Sequence, residues 1–292
     1  MNIVPLSRAS REGSRECLLC PQHCKLNVGQ TGLCHTRYND GENIISLNYG
    51  KYTSLALDPI EKKPLARFYP GTYILSVGSF GCNLRCPFCQ NHVISQAGIF
   101  DIDHRYLPPA QLIEIALHLR QEEKGSIGIA FTYNEPLIGY EYVYETSLLA
   151  KEHDLKIVVV TNGLICREPF EALLPYVDAL NIDLKGWKQD FYSWTGAPEK
   201  GFETVKESIQ LALKHAHVEV TTLVIPTKND SLAEMEAEAK WLASISPEIP
   251  LHITRYFPKF KCDIPATSKE SIEALCTIAR KYLHYVYAGN CN

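Results

Sequence analysis

The sequence predicts an α/β fold, a partial (β/α)6 TIM-like barrel preceded by a small Cys-rich metal-binding segment. Three observations predict it. From Tyr73 onward, six short apolar runs alternate with segments of helical period. Seven of the eleven cysteines fall within the first 89 residues, in two blocks. Non-apolar residues able to do chemistry recur just past each apolar run.

The first cysteine block, ECLLCPQHCKLNVGQTGLCHTR, runs from Glu16 to Arg37 and has little apolar content. Clear periodicity is missing from there to the turn-rich DPIEKKPLARFYPGT. The boundary is expected between residues 45 and 70, dividing the chain into a 1–60 Cys-rich segment and a 61–292 core. Strands are expected at 73–79, 126–131, 155–160, 177–182, 217–225 and 249–254. Helices are expected at 108–122, 138–153, 167–174, 201–215, 231–245 and 268–282. The first of these opens on Pro108 and Pro109 and carries Leu112, Ile115, Ala116 and Leu119 on one stripe. Strands alternating with helices imply βαβ units and a parallel sheet with right-handed crossovers. Six such units suit a partial barrel rather than a closed one of eight strands.

Composition removes several function classes. No stretch reaches the roughly 18 consecutive apolar residues of a membrane-spanning helix. The opening MNIVPLSRASREGSRE lacks a signal-peptide core, so a cytoplasmic location is expected. A net charge of −4 without a basic run argues against broad nucleic-acid binding, though a local basic groove stays open. In such a chain clustered cysteines read as metal ligands rather than a disulfide framework.

The first core strand runs straight into GSFGCNLRCPFCQN, which sets Cys82, Cys86 and Cys89 at C-x3-C-x2-C spacing. Three thiolates on a four-iron cube leave one iron open for a chelating ligand, unlike the four-cysteine ferredoxin pattern. Cys17, Cys20, Cys24 and Cys34 follow C-x2-C-x3-C-x9-C, with Gly29 and Gly32 in the connecting turn. Four thiolates can close a zinc site or hold an auxiliary Fe–S cluster, and His23 or His35 could replace one of them. A segment this poor in apolar residues needs such a metal to fold.

The residues past the strands form a coherent set. They are Thr132, Tyr133, Asn134, Glu135 and Pro136; Thr161, Asn162 and Gly163; Asp183 and Lys185; Pro226 and Thr227; Arg255 and Tyr256. In a barrel, all of them face one mouth. Cys166, Cys262 and Cys276 read as buried thiols, and Trp187, Tyr192 and Trp194 as packing.

At C-x3-C-x2-C, with Phe88 just before the last cysteine, the sequence resembles the radical S-adenosylmethionine (SAM) superfamily. DPIEKKPL, FTYNEP, VTNG, DLKG and the terminal YAGN resemble the radical SAM member of the AmmeMemoRadiSam group. That group is related to the activating enzymes of pyruvate formate-lyase. The resemblance implies a [4Fe–4S] cluster on Cys82, Cys86 and Cys89, with the amine and carboxylate of SAM on the open iron. It implies that Asn134 and Glu135 accept from the SAM amine, and that Lys185, beside Asp183, meets the SAM carboxylate. Thr161 and Asn162 of the TNG turn join the cofactor contacts, with His252 and Arg255 towards the adenine or the substrate. Where relatives carry an acidic residue that helps hold a monovalent cation, this chain has Val160.

The activity implied is one-electron cleavage of SAM to methionine and a 5′-deoxyadenosyl radical, which abstracts a hydrogen atom. The implied substrate is a partner protein, as for a glycyl-radical activase. Alternatives are radical modification of a protein, RNA or small molecule with that group's partner proteins, or a non-catalytic Fe–S or zinc scaffold. An electron donor such as flavodoxin or ferredoxin and an oxygen-sensitive cluster complete the expectation.

Overall fold

The computed structural model describes residues 4–10, 13–122 and 124–291. Among these, an eight-stranded sheet organises the chain. Its strands are β1 (Ser54–Pro59), β2 (Tyr73–Gly78), β3 (Ser126–Phe131), β4 (Lys156–Thr161), β5 (Ala179–Asp183), β6 (His217–Val224), β7 (Leu251–Arg255) and β8 (Val286–Gly289). They lie side by side in chain order. β1 runs antiparallel to β2, and every later pair is parallel. The crossovers carry α1 (Pro109–Arg120), α2 (Tyr140–Glu152), α3 (Arg167–Leu173), α4 (Gly201–Ala212), α5 (Leu232–Ile245) and α6 (Lys269–Ala279). Because each crossover advances by one strand in the same direction, right-handed connections put the helices on one face. The other face curls inward, as an open, partial barrel requires.

The expected six strands and six helices are all present, with ends shifted by a few residues. Two strands were not expected: β1 and β8 form the edges. The six predicted units are therefore six crossovers between seven parallel strands. The sheet also begins at Ser54, so a division at residue 60 separates β1 from its own sheet.

Side-chain alternation explains the two faces. Leu75, Val77, Ile129, Phe131, Ile157, Val159, Leu180 and Ile182 pack with Leu112, Ile113 and Ala116 of α1 and the other helices. Each such buried aliphatic contributes roughly 1.5–3 kcal/mol. On the inner face Ile74, Ala130, Val158 and Ala179 meet Ile60, Leu65 and Phe68 from the β1–β2 connection. This connection plugs the end of the barrel where the strands begin. It is tied there by Asn181, which donates to the Pro64 carbonyl, and by Glu219, which accepts from the Ala66 and Arg67 amides at 2.9 and 2.7 Å.

The Cys-rich segment forms a small antiparallel sheet, Ser7–Ala9, Arg15–Cys17 and Lys25–Leu26, and a hairpin of Arg37–Asn39 with Ile44–Ser46. The buried Arg37 clamps it to α2, with Nη1 donating to both oxygens of Glu141 at 2.8 and 2.6 Å. The Gln22 amide adds bonds to the carbonyls of Asn83 and Gly196. No helix among the described residues is long and apolar enough to cross a membrane.

Candidate functional site

A cavity of about 360 Å³ opens where the parallel strands end. Cys82, Cys86 and Cys89 line it together with Asn134, Glu135, Thr161, Asn162, Asp183 and Lys185. The folding reasons are local. β2 ends at Gly78, and the chain turns back through Gly81 at φ +83°. A Cβ on Gly81 would stand 2.4 Å from the Cys34 carbonyl oxygen, so only glycine lets the cysteine loop lie against the N-terminal segment. Asn134 fixes the loop from the other side. Its amide donates to the carbonyls of Phe80 and Gly81, and its Oδ1 accepts from Ser79 N. Phe88 packs against Phe191 and Trp194, with ring centroids 5.9 and 5.2 Å away.

Glu135 is a clamp. Its carboxylate accepts from Thr161 Oγ1 at 2.7 Å, Asn162 N at 2.8 Å and Leu137 N at 3.0 Å, joining the ends of β3 and β4. Burial pushes this carboxyl up, against the pull of those donors, to about 7. Three internal donors fill most of a carboxylate's roughly four acceptor positions. Asn162 reaches Asn83 Oδ1 at 2.8 Å and the Cys82 sulfur at 3.7 Å. Leu84 N also donates to that sulfur, at 3.3 Å. Gly163 turns at φ +68° with Ile182 and Val205 close behind, so the TNG turn is both a tight reversal and part of the cavity wall.

Lys185 Nζ bonds Asp183 Oδ2 at 2.8 Å. Burial alone would depress its pKa, but Asp183 and the neighbouring thiols of Cys86 and Cys82 hold the ammonium well above the ordinary range. Burial in turn pushes the Cys86 thiol up to about 11, with Lys185 opposing it.

Two predicted contacts lie elsewhere. His252 Nε2 donates at 2.6 Å to the carboxylate of Glu219, the residue that also holds His217 and the 66–67 backbone. Burial would raise the Glu219 carboxyl, yet His217, His252 and the two amides hold it down at about 2. His252 therefore belongs to the plugged end of the barrel, among the residues that fasten the β1–β2 connection. Arg255 Nε donates to the Thr267 carbonyl at 2.6 Å, and its guanidinium lies over Phe257; it does not line the cavity. Pro226, Thr227 and Tyr256 do not line it either, whereas Thr221, Leu223 and Thr254 of β6 and β7 do. Val160 stands in the wall, as the missing acidic residue implies.

The cavity also contains Lys62, Lys63, Gln90, Asn91, Ser95 and Asn290, which reading past the strand ends misses. Their only signal in the sequence is their place in the motifs DPIEKKPL, CQNHVISQ and YAGN.

Cys17, Cys20, Cys24 and Cys34 line a second, small hollow with Gln22, Arg37 and Asn83. Cys17 and Cys34 are buried, and Thr36 Oγ1 donates to the Cys34 sulfur at 3.3 Å. None of the eleven cysteines is in a disulfide, and among the described residues no three or more His, Cys, Asp or Glu side chains are grouped closely enough to hold a single metal ion. The fit of each cysteine set to a metal group therefore rests on its donors. Three thiols beside one cation and several N–H groups suit an anionic cluster. Four thiols in one hollow suit a closed site.

The radical SAM superfamily family model matches residues 76–241, more than half of the chain, from within β2 to within α5. The chain belongs to the radical SAM superfamily. An uncharacterized protein of Methanocaldococcus jannaschii is 40% identical over 278 residues, covering 94% of this chain and 80% of its own length. The pyruvate formate-lyase-activating enzyme of Clostridium pasteurianum is 24% identical over 169 residues, 56% of this chain and 67% of that enzyme. In fold, this radical SAM protein is similar to a radical SAM methyltransferase from Sphaerobacter thermophilus. That likeness has a TM-score of 0.57 at 19% identity and covers 76% of this chain and 67% of the other. The match to the M. jannaschii protein takes in nearly all of this chain, whereas the match to the activating enzyme takes in little more than half.

Proposed function

We propose that this radical SAM protein reductively cleaves SAM at a [4Fe–4S] cluster held by Cys82, Cys86 and Cys89, and acts as an activating enzyme on a partner protein. The observation that carries the reading is the meeting of three free thiols with the Asp183–Lys185 pair and the Glu135-clamped TNG turn in one cavity. When bound, the cluster supplies one electron to the sulfonium of SAM, giving methionine and a 5′-deoxyadenosyl radical that takes a hydrogen atom from the substrate. The chain's own part is positioning. Lys185 offers a fixed positive charge to a carboxylate. Asn162 and Leu84 N–H groups stabilise the Cys82 sulfur, and Asn134 and Glu135 hold the two loops in register. The remaining acceptor position of Glu135 faces an amine in this reading.

The same reading gives Cys17, Cys20, Cys24 and Cys34 a metal, zinc or a second Fe–S cluster. It also implies a flavodoxin- or ferredoxin-type electron donor and a low-oxygen cytoplasm. A second reading is stable radical modification of a protein, RNA or small molecule in an AmmeMemoRadiSam-type system. It stands beside the first because the match to the activating enzyme takes in only 56% of this chain.

Anaerobic reconstitution with iron and sulfide, followed by dithionite and SAM, tests the reading through formation of 5′-deoxyadenosine. The expected result is product that disappears in Cys86→Ala. A fully loaded protein whose cluster spectrum ignores SAM would overturn it. A radical signal on an added partner protein would select the activating role over stable modification.

A further inference from the structure

We propose that Lys63, with Lys62, Asp58 and Tyr133, forms an anion-binding subsite in the cavity wall that holds a carboxylate or phosphate group of the substrate. The inference rests on the reading above, in which substrate and SAM share this cavity.

Lys63 is only 1% exposed, yet it lines the cavity. A lysine buried to this degree is costly unless its ammonium is fully engaged. Here Nζ donates to Asp58 Oδ2 at 2.9 Å and lies 4.7 Å above the centre of the Tyr133 ring. An ammonium has three donors, and among the described residues Asp58 is the one hydrogen-bond acceptor Lys63 Nζ uses. Asp58 is itself shared, accepting from Lys62 at 3.2 Å and from the Tyr133 hydroxyl at 2.6 Å. One carboxylate thus serves two ammoniums. No other carboxylate of the cavity reaches either lysine, since Asp183 pairs with Lys185 and Glu135 accepts from its own clamp.

The chain accepts strain to keep this arrangement. Tyr133 sits at φ +72°, a left-handed conformation that strains a bulky residue. Its ring occupies the space that a side chain at position 78 would need: a Cβ on Gly78 would lie 2.6 Å from Tyr133 Cδ2. The buried Ser76 hydroxyl lies beside the phenol. A strained tyrosine, a glycine cleared for it and a buried lysine with donors to spare are more than an ion pair needs. They suit a wall that awaits an anion.

The test uses the reconstituted protein with its cluster reduced and methionine saturating, so that Lys185 meets a carboxylate and no sulfonium is present to take the cluster's electron. Inorganic phosphate is titrated in and its binding read from the broadening of the ³¹P line by the paramagnetic cluster, with acetate as competitor. Saturable broadening is expected. Lys63→Met should weaken it about tenfold, the loss of a charge-assisted hydrogen bond, and Lys62→Met by a smaller factor. Asp58→Asn should tighten it, because the anion no longer competes with the carboxylate; a merely structural pair would instead lose binding together with fold. Displacement of phosphate by equimolar acetate would mark a carboxylate site, and its persistence a phosphate site. No saturable binding to the loaded wild type, or equal binding by wild type, Lys62→Met and Lys63→Met, would overturn the proposal. Failure of SAM cleavage with Lys63-dependent phosphate binding intact would instead remove the cleavage reading and leave the subsite standing.

Discussion

Single residues decide how the two cysteine loops meet. Gly81 shows this most directly, because its φ of +83° and its 2.4 Å clearance to the Cys34 carbonyl exclude any side chain. Gly81→Ala should cost about 2–4 kcal/mol, through backbone strain and a displaced neighbour. Denaturant unfolding measures that loss. Reconstituted iron should fall in parallel, because the displaced loop carries Cys82; unchanged stability and iron would show that the contact yields freely. His252 makes the opposite case. Its partner is Glu219, at the plugged end of the barrel. His252→Ala should lower stability by about 1–3 kcal/mol, the cost of an unsatisfied buried acceptor. SAM affinity, measured by equilibrium dialysis, should stay within about twofold, well under the tenfold that each 1.4 kcal/mol represents. A large fall in SAM affinity with stability unchanged would return His252 to the cofactor.

Elements carry the pH dependence. Glu238 of α5 is buried against β6, where Thr222 Oγ1 bonds it at 2.5 Å. Burial raises its carboxyl from an ordinary 4.5 to about 8. A raised carboxyl is protonated in the fold and ionised in the open chain, so it lowers stability progressively as pH climbs from 4.5 to about 8. Glu238→Gln removes that titration. The variant should gain a few kcal/mol relative to wild type between pH 5 and pH 8, read from unfolding midpoints at both pH values. A difference independent of pH would mean that Glu238 is not the titrating group. The sequence could foretell the elements but not such pairs. β2 to β7 were legible because each is a run of apolar residues, and the helices because Ile272, Leu275, Cys276 and Ala279 of α6, for instance, repeat at helical spacing. β1 and β8 were not. They lie at the edges, where SLALDP and VYAG carry few buried side chains and little pattern. Reading past strand ends found Glu135, Asn162, Asp183 and Lys185, since those positions follow from topology alone. His252 lies within its strand rather than past its end, and the partner that holds it stands 33 residues away on the neighbouring strand. Lys63 escaped notice for a related reason: it reaches the cavity from a connection without periodicity.

At the scale of the whole molecule, the question is whether the Cys-rich segment is an appendage or a part of the catalytic frame. Its strands are only two or three residues long, too short to stand alone. What fixes it is contact with the barrel: Arg37 on Glu141, Gln22 on Asn83 and Gly196, Leu19 on Cys166, and Cys34 against Gly81. Three of these contacts touch the cysteine loop or the TNG side of the cavity. Loosening the segment should therefore be felt at Cys82, while the parallel sheet, with its own continuous core, should not notice. Cys17→Ser combined with Cys34→Ser removes two of the four thiols that a bound metal would require. Hydrogen exchange should then quicken across residues 15–39 and in the 79–91 loop, with protection in β3 to β6 unchanged. Iron at the Cys82–Cys89 site should bind more weakly, although none of its own ligands has been altered. Quickened exchange confined to 15–39 would make the segment a separate module; no change in exchange anywhere would mean that no metal holds it.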